Sequence, residues 1–113
     1  MKFIKHENKW CWGQSTIIIT NDGCGTVTVQ FEDDVDFATI CGLSVYKEKR
    51  NKGYATQLLK EAEAEAVKHK RKYIYLGTDE NTWVYNWYIK QGYEDDGYDY
   101  AYNKVKRLRK TIK

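Results

Sequence analysis

The sequence predicts an α/β (α+β) fold built on a mixed sheet, with elements in the order β-β-β-α-β-α-β. Three observations carry that expectation. Segments between Ser15 and Val45 are β-branched or alternate apolar with polar residues, the period of strands. From Tyr54 to Lys70 the apolar positions recur instead at helical spacing. Tyr73 to Leu76 then returns to a short strand, and a strand reached through a helical crossover runs parallel to the one it left.

Taken in order, Ser15-Thr16-Ile17-Ile18-Ile19-Thr20 is rich in β-branched side chains and stops at the turn signal Asn21-Asp22-Gly23. Gly25 to Phe31 alternates Val27, Val29 and Phe31 against polar neighbours, so the two segments are expected to form an antiparallel hairpin. Glu32-Asp33-Asp34 turns the chain into Phe37 to Val45, a third strand that continues the meander. Ala55, Leu58, Leu59, Ala62 and Ala66 then mark one face of an amphipathic helix. Lys68, His69, Lys70 and Arg71 suit the negative end of its dipole, His69 reading simply as a cap. After the strand at Tyr73 to Leu76, a second helix presents Trp83, Val84, Trp87 and Tyr88 on one face, with Asp79 or Asn81 as its expected cap and Gly92 beyond its end. Tyr98 to Val105 is expected to be the last strand.

A chain of 113 residues fits one domain with a basic tail at 104–113. Hydrophobic residues at 42% and charged residues at 31% suit a folded globular protein and argue against disorder. No apolar run approaches the ~20 residues of a membrane span, and the start lacks the apolar stretch of a secretion signal, so no membrane partner and a cytoplasmic location are expected. Three cysteines without a C-x-x-C pair argue for reduced thiols, with Cys41 expected in the core. Cys11, Cys24 and His6 fit no zinc spacing, so no metal is expected. Six of the 19 basic residues lie between Lys104 and Lys113, which leaves 13 against 16 acidic residues elsewhere. A solvated, frayed terminus is the expectation for that tail, and nucleic acid is not the expected partner.

The chemistry is expected where the parallel strand meets the first helix, because ligands of open α/β sheets collect at strand carboxyl ends beside helix N-termini. Tyr46 to Ala55 is a basic turn, carrying Lys47, Lys49, Arg50 and Lys52, that opens into the helix. Unpaired first-turn amides and the positive dipole end there suit phosphate oxygens, Gly53 lets the backbone approach an anion, and Thr56 adds a hydroxyl.

Arg50-Asn51-Lys52-Gly53-Tyr54-Ala55 resembles the Arg/Gln-x-x-Gly-x-Gly/Ala signature of GNAT acetyltransferases, preceded by a Leu-x-Val strand end and followed by a Leu-Leu helix as in that family. A second family pattern, Asn followed at seven residues by Tyr and then by Lys, Gly and an aromatic, is matched by Asn81, Tyr88, Lys90, Gly92 and Tyr93, so the resemblance spans residues 36–93. It implies a GNAT-like fold and transfer of acetyl from acetyl-CoA to the primary amine of a small molecule or peptide. It further implies that the backbone of Arg50, Asn51, Lys52, Gly53, Tyr54 and Ala55, with Thr56 beside it, holds the CoA pyrophosphate. The backbone of Leu43, Ser44 and Val45 would pair with the pantetheine arm, with an N–H for the acetyl carbonyl, and Asn81 would contact the arm or the acetyl region. Tyr88 would be the general acid for the departing thiolate, since a phenol of pKa ~10 is protonated at neutral pH.

Asp36, Asp79, Glu80 and Glu32 are candidates by position for the base that deprotonates the amine, and none stands out. The acidic groups Glu32-Asp33-Asp34-Asp36 and Glu94-Asp95-Asp96-Asp99 could attract a cationic amine, although acidic turns are more often only solvated. GNAT enzymes usually carry a strand and two helices before the hairpin, where this chain has about fourteen residues, and a hairpin after the second motif, where there is room for little more than one strand. An open acceptor cleft is therefore expected, with a second copy of the chain as the candidate that completes it. The alternative reading is a non-catalytic, regulatory module that binds acyl-CoA.

Overall fold

The computed structural model describes residues 1–79, 82–98 and 105–112. One mixed sheet of seven strands carries two α-helices among these residues. The strands are β1 (Phe3–Trp10), β2 (Gly13–Thr20), β3 (Gly25–Glu32), β4 (Phe37–Val45), β5 (Tyr73–Asp79), β6 (Glu94–Tyr98) and β7 (Val105–Thr111); α1 (Tyr54–Lys68) follows β4 and α2 (Trp83–Lys90) follows β5. Their spatial order is β1-β2-β3-β4-β5-β7-β6, and the β4/β5 pair, joined through α1, is the parallel one.

Period two in β2 and β3 places Ile18, Val27, Val29 and Phe31 on one face, where Ala38, Ile40, Ile74, Leu76 and Leu108 continue the row across the sheet. Leu58, Leu59, Ala62 and Ala66 of α1 pack onto that face. These residues, with Tyr88 and Tyr93, form the core.

Two strands exceed the expected order. β1 lies ahead of the first expected strand, in a stretch whose lack of apolar alternation gave no strand signal; it is an edge strand, exposed along most of its length and held by pairing to β2 from Phe3↔Thr20 to Trp10↔Gly13. The strand expected at Tyr98 to Val105 is instead two, β6 and β7, with residues 99–104 outside the described part. The basic tail is not frayed over its described length, because β7 lies between β5 and β6 and pairs with β5 from Tyr73↔Thr111 to Asp79↔Val105. Leu108 anchors it in the core, and its cations meet β6: Arg107 bonds Asp96 at 2.8 Å and Lys106 pairs with Asp95 at 3.3 Å. Cys41 is half-buried and outside the core, since its place in β4 puts it on the face opposite Ile40.

Two features of β4 position the site. Pairing with β5 stops after Phe37↔Tyr73, Ala38↔Ile74 and Thr39↔Tyr75, so the two strands diverge toward their carboxyl ends. A bulge opposite Thr26 to Thr28 then turns the strand end, and Gly42 at that bulge takes φ +65, a backbone region where a Cβ would be strained.

Candidate functional site

Beyond the point of divergence the edge of β4 faces the start of α1 and one side of α2, and a cavity of about 600 Å³ opens among them. Its lining includes Leu43, Ser44 and Val45 of β4, Arg50, Asn51, Gly53, Tyr54, Ala55 and Thr56 around the start of α1, and Tyr88 of α2. Of the twelve residues singled out in the sequence, ten therefore share one wall system. Lys52 stands in the same loop without lining the cavity, and Asn81 lies outside the described residues. Lys49, Trp83, Val84 and Trp87 line it too. The sequence had presented the last three as an apolar helix face; the spacings Trp83/Trp87 and Val84/Tyr88, both i,i+4, are the signal that they act as one surface.

The loop into α1 is shaped by its backbone. A single 3-10 turn at Lys47–Lys49 leaves β4, and the Arg50 Nε donates to the Val45 carbonyl at 3.2 Å, tying the loop to the strand end. Asn51 and Gly53 then take positive φ, +63 and +84, which swings the chain into the helix. Gly53 is the N-cap and offers no side-chain acceptor, so no side chain caps the first-turn amides of Tyr54, Ala55 and Thr56, all of which line the cavity. With the dipole end and the cations of Lys49 and Arg50, this is a concave group of donors suited to a polyanion.

The Tyr54 hydroxyl points elsewhere: it donates to Asp22 in the β2–β3 turn, whose other carboxylate oxygen accepts from the Thr20 hydroxyl at 2.7 Å and the Cys24 amide at 3.0 Å. Those donors hold the Asp22 carboxyl well below the usual carboxylate range, and the same bond raises the Tyr54 phenol. The turn thus braces the first residue of the helix.

Tyr88 is 7% exposed, with Trp87 and Tyr93 edge-on at ring-centroid distances of 5.0 and 5.6 Å. Burial pushes its phenol up to about 12. Tyr93, buried beside it, is held differently: its hydroxyl donates to Glu63 of α1 at 3.0 Å, and Glu63 also accepts from Lys110 at 3.1 Å. Tyr93 is therefore a tie between helix and strand, whereas Tyr88 presents to the cavity a phenol protonated across the physiological range. The cap of α2 is Thr82 rather than Asp79 or Asn81; its hydroxyl accepts from the Tyr85 amide at 3.2 Å and donates to the Asp79 carbonyl at 3.0 Å, Asp79 being the last residue of β5.

Glu32, Asp36 and Asp79 do not line the cavity, and Glu80 is outside the described residues. The described members of the second acidic group are engaged internally, and Asp99 lies outside the described residues. Asp95 accepts from Tyr85, Asp96 from Arg107, and Glu94 stands 4.0 Å from Arg109. Among the described residues no group of three His, Cys, Asp or Glu is placed to hold a metal, and no helix is long and apolar enough to cross a membrane.

The sequence profile of the Acetyltransferase (GNAT) family matches residues 3–93. The chain belongs to that family. Acyl transfer is accordingly its class of chemistry. Solved GNAT-fold structures are similar throughout: an acetyltransferase from Bacillus subtilis in complex with CoA superposes with a TM-score of 0.74 at 15% identity, over 97% of this chain and 99% of that one. The ribosomal-protein-S18-alanine N-acetyltransferase of Escherichia coli gives 0.69 at 14% identity, over 92% and 72%. N-acetylglutamate synthase from Neisseria gonorrhoeae, complexed with coenzyme A and N-acetyl-glutamate, gives 0.73 at 14%, over 88% of this chain and 26% of that one. At these identities the likeness is one of fold. No curated protein sequence matches the chain significantly. Within the family pattern, β1 and β2 are joined by the short turn at Trp10–Gly13, so the two helices expected between first strand and hairpin have no counterpart there, while the terminal hairpin is present as β6 and β7.

Proposed function

We propose that the chain is an acetyl-CoA-dependent N-acetyltransferase that acts on a primary amine of a small molecule or peptide by direct attack. The observation that carries this reading is the shared cavity: first-turn amides of α1, the unpaired edge of β4 and the phenol of Tyr88 converge on one space. The pyrophosphate of CoA would lie against the amides from Gly53 to Thr56, with Lys49 and Arg50 adding charge. Its pantetheine arm would run beside Leu43, Ser44 and Val45, which lack a neighbouring strand on the β5 side. Such binding holds the thioester close to Tyr88, and fixing the reactants in one geometry removes much of the entropic barrier.

In the transfer itself the amine nitrogen attacks the carbonyl carbon, and the carbonyl oxygen becomes an oxyanion stabilised by an N–H of the β4 edge. Collapse breaks the carbon–sulfur bond; the sulfur leaves with the proton of the Tyr88 hydroxyl, and Tyr88 is reprotonated from solvent. The amine loses its proton to water, because no carboxylate among the described residues lines the cavity. That same absence of a lining base supports a second reading, a regulatory module that binds acyl-CoA without turnover.

A thermal-shift titration with acetyl-CoA tests the binding half, since a ligand that prefers the folded state raises the melting temperature. No shift at saturating acetyl-CoA would end both readings. A panel of amines with a thiol-release readout then separates them: release above the hydrolysis background supports the transferase, and binding without release supports the module.

A further inference from the structure

The core occupies one face of the sheet, and both helices contribute to that face: Leu58, Leu59, Ala62 and Ala66 from α1, Tyr88 from α2. Strand alternation sends Ile17 and Ile19 of β2, Thr28 of β3, Phe37 and Thr39 of β4 and Tyr75 of β5 to the other face. All six are half-buried, outside the core, and beneath no described element. At the β1 edge of the same face Ile4 is 48% exposed and, on the adjoining turn, Trp12 is 66% exposed. Ser15 and the exposed Gln30 share the face, which is uncharged across its central strands, and an open sheet face that carries Ile4, Ile17, Ile19, Phe37 and Tyr75 is unusual on a molecule that works alone.

We propose that this open face docks a second copy of the chain, sheet on sheet, in a two-fold dimer. Size is the first argument. Seven strands spaced about 4.8 Å apart, with about 7 residues each at about 3.3 Å, make a face of roughly 800 Å². That is close to the ~800 Å² each partner buries in a stable complex of standard size.

Charge is the second argument, and it selects an identical face over other occupants. Between Glu32 and Asp79, which stand at opposite ends of β3 and β5, the central strands send no charged side chain to this face. Cations enter it on β7, where the guanidinium groups of Arg107 and Arg109 lie 5.1 and 5.4 Å from the ring centroids of Tyr75 and Tyr73. Both are matched within the chain, Arg107 by Asp96 at 2.8 Å and Arg109 by Glu94 at 4.0 Å. The face is thus uncharged at its centre, where Thr28, Gln30, Thr39 and Cys41 lie between Ile17 and Ile19 on one side and Phe37 and Tyr75 on the other, and its β7 cations are matched within the chain, an arrangement that suits a subunit interface. A nucleic acid would need cations left over for its phosphates. A two-fold contact covers both open faces at once and leaves neither available for further growth.

Light scattering on the wild-type chain at tens of micromolar is expected to give twice the 13.4 kDa of one copy. Thr28→Lys and Thr39→Arg, each placing a cation at the centre of the face, are expected to return it to one copy while circular dichroism stays unchanged. Cys41, half-buried on the central strand of the same face, supplies a test without substitution: its alkylation should slow as protein concentration rises, with Cys24 in the β2–β3 turn as the internal reference. A single-copy mass at every concentration overturns the proposal. So does a dimer that survives both substitutions, or whose Cys41 labels at a rate independent of concentration. None of these readouts involves acyl transfer, and the melting shift with acetyl-CoA reports on that reading separately.

Discussion

A phenol on a helix face ordinarily signals packing, and Tyr88 does pack, against Trp87 and Tyr93. What separates it from Tyr93 is the absence of a tie: Tyr93 is bonded to Glu63, and Tyr88 lines the cavity. Tyr88→Phe keeps the ring contacts and removes the proton, so steady-state kinetics should show kcat lowered by about 10²-fold with the affinity for acetyl-CoA little changed. The wild-type rate should also persist through pH 10 and decline only toward pH 12, because burial holds the phenol at about 12. The sign for stability agrees with this. A group whose folded value lies above its unfolded one contributes stability below the unfolded value and loses it as pH rises toward the folded one. At Gly53 the backbone sits at φ +84 and a Cβ would meet nothing within 4 Å. Gly53→Ala should therefore cost only the conformational strain, about 1–2 kcal/mol by denaturant unfolding. Gly53→Glu adds a carboxylate beside the anion-binding amides and should abolish the acetyl-CoA melting shift.

Among the elements, α2 is the one whose position depends most on its cap. It has eight residues, below the length at which a helix holds itself together in water. Thr82 satisfies one first-turn amide and ties the helix to the end of β5 through Asp79. Thr82→Ala is expected to cost about 1 kcal/mol and to lower turnover as well, since the cap orients the wall that carries Trp83, Trp87 and Tyr88. Edge strand β1 is fastened to α1 by charge. Glu65, 1% exposed, accepts from Lys5 at 2.8 Å, with His69 3.6 Å from its other oxygen. Removing the cation strands a buried carboxylate, a loss of about 3–5 kcal/mol for a fully buried pair and about 1–3 kcal/mol here, where Lys5 remains in contact with water. Chemical denaturation should show that loss in Lys5→Met and recover most of it in the double variant Lys5→Met/Glu65→Leu, because the second change removes the stranded charge.

At the scale of the whole molecule, the sheet explains both the reach and the limits of the sequence. Residues within a few positions of one another settle the alternation of Val27, Val29 and Phe31, the helical stripe of Leu58, Leu59, Ala62 and Ala66, and the glycine turn into α1. Each is a local property of the chain, and each was legible. So was the grouping of Gly53 with Tyr88, through motifs rather than periodicity; the cavity that joins them is a fact of packing, and their roles await the kinetics above. β1 and β7 were hidden because their side chains are mostly charged or polar, and such residues enter a sheet only when distant partners take up their backbone bonds and their charge, as Thr20, Tyr73, Asp95 and Asp96 do here. Trp83, Val84 and Trp87 read as one apolar helix face, and only the divergence of β4 from β5 leaves the space in front of them. The order of residues alone determined the three meander strands, both helices, the parallel crossover between β4 and β5 and the family. Tertiary structure decided which strands are edges, which phenol is left untied and which face of the sheet lies open, because each depends on groups far apart in the chain meeting in space.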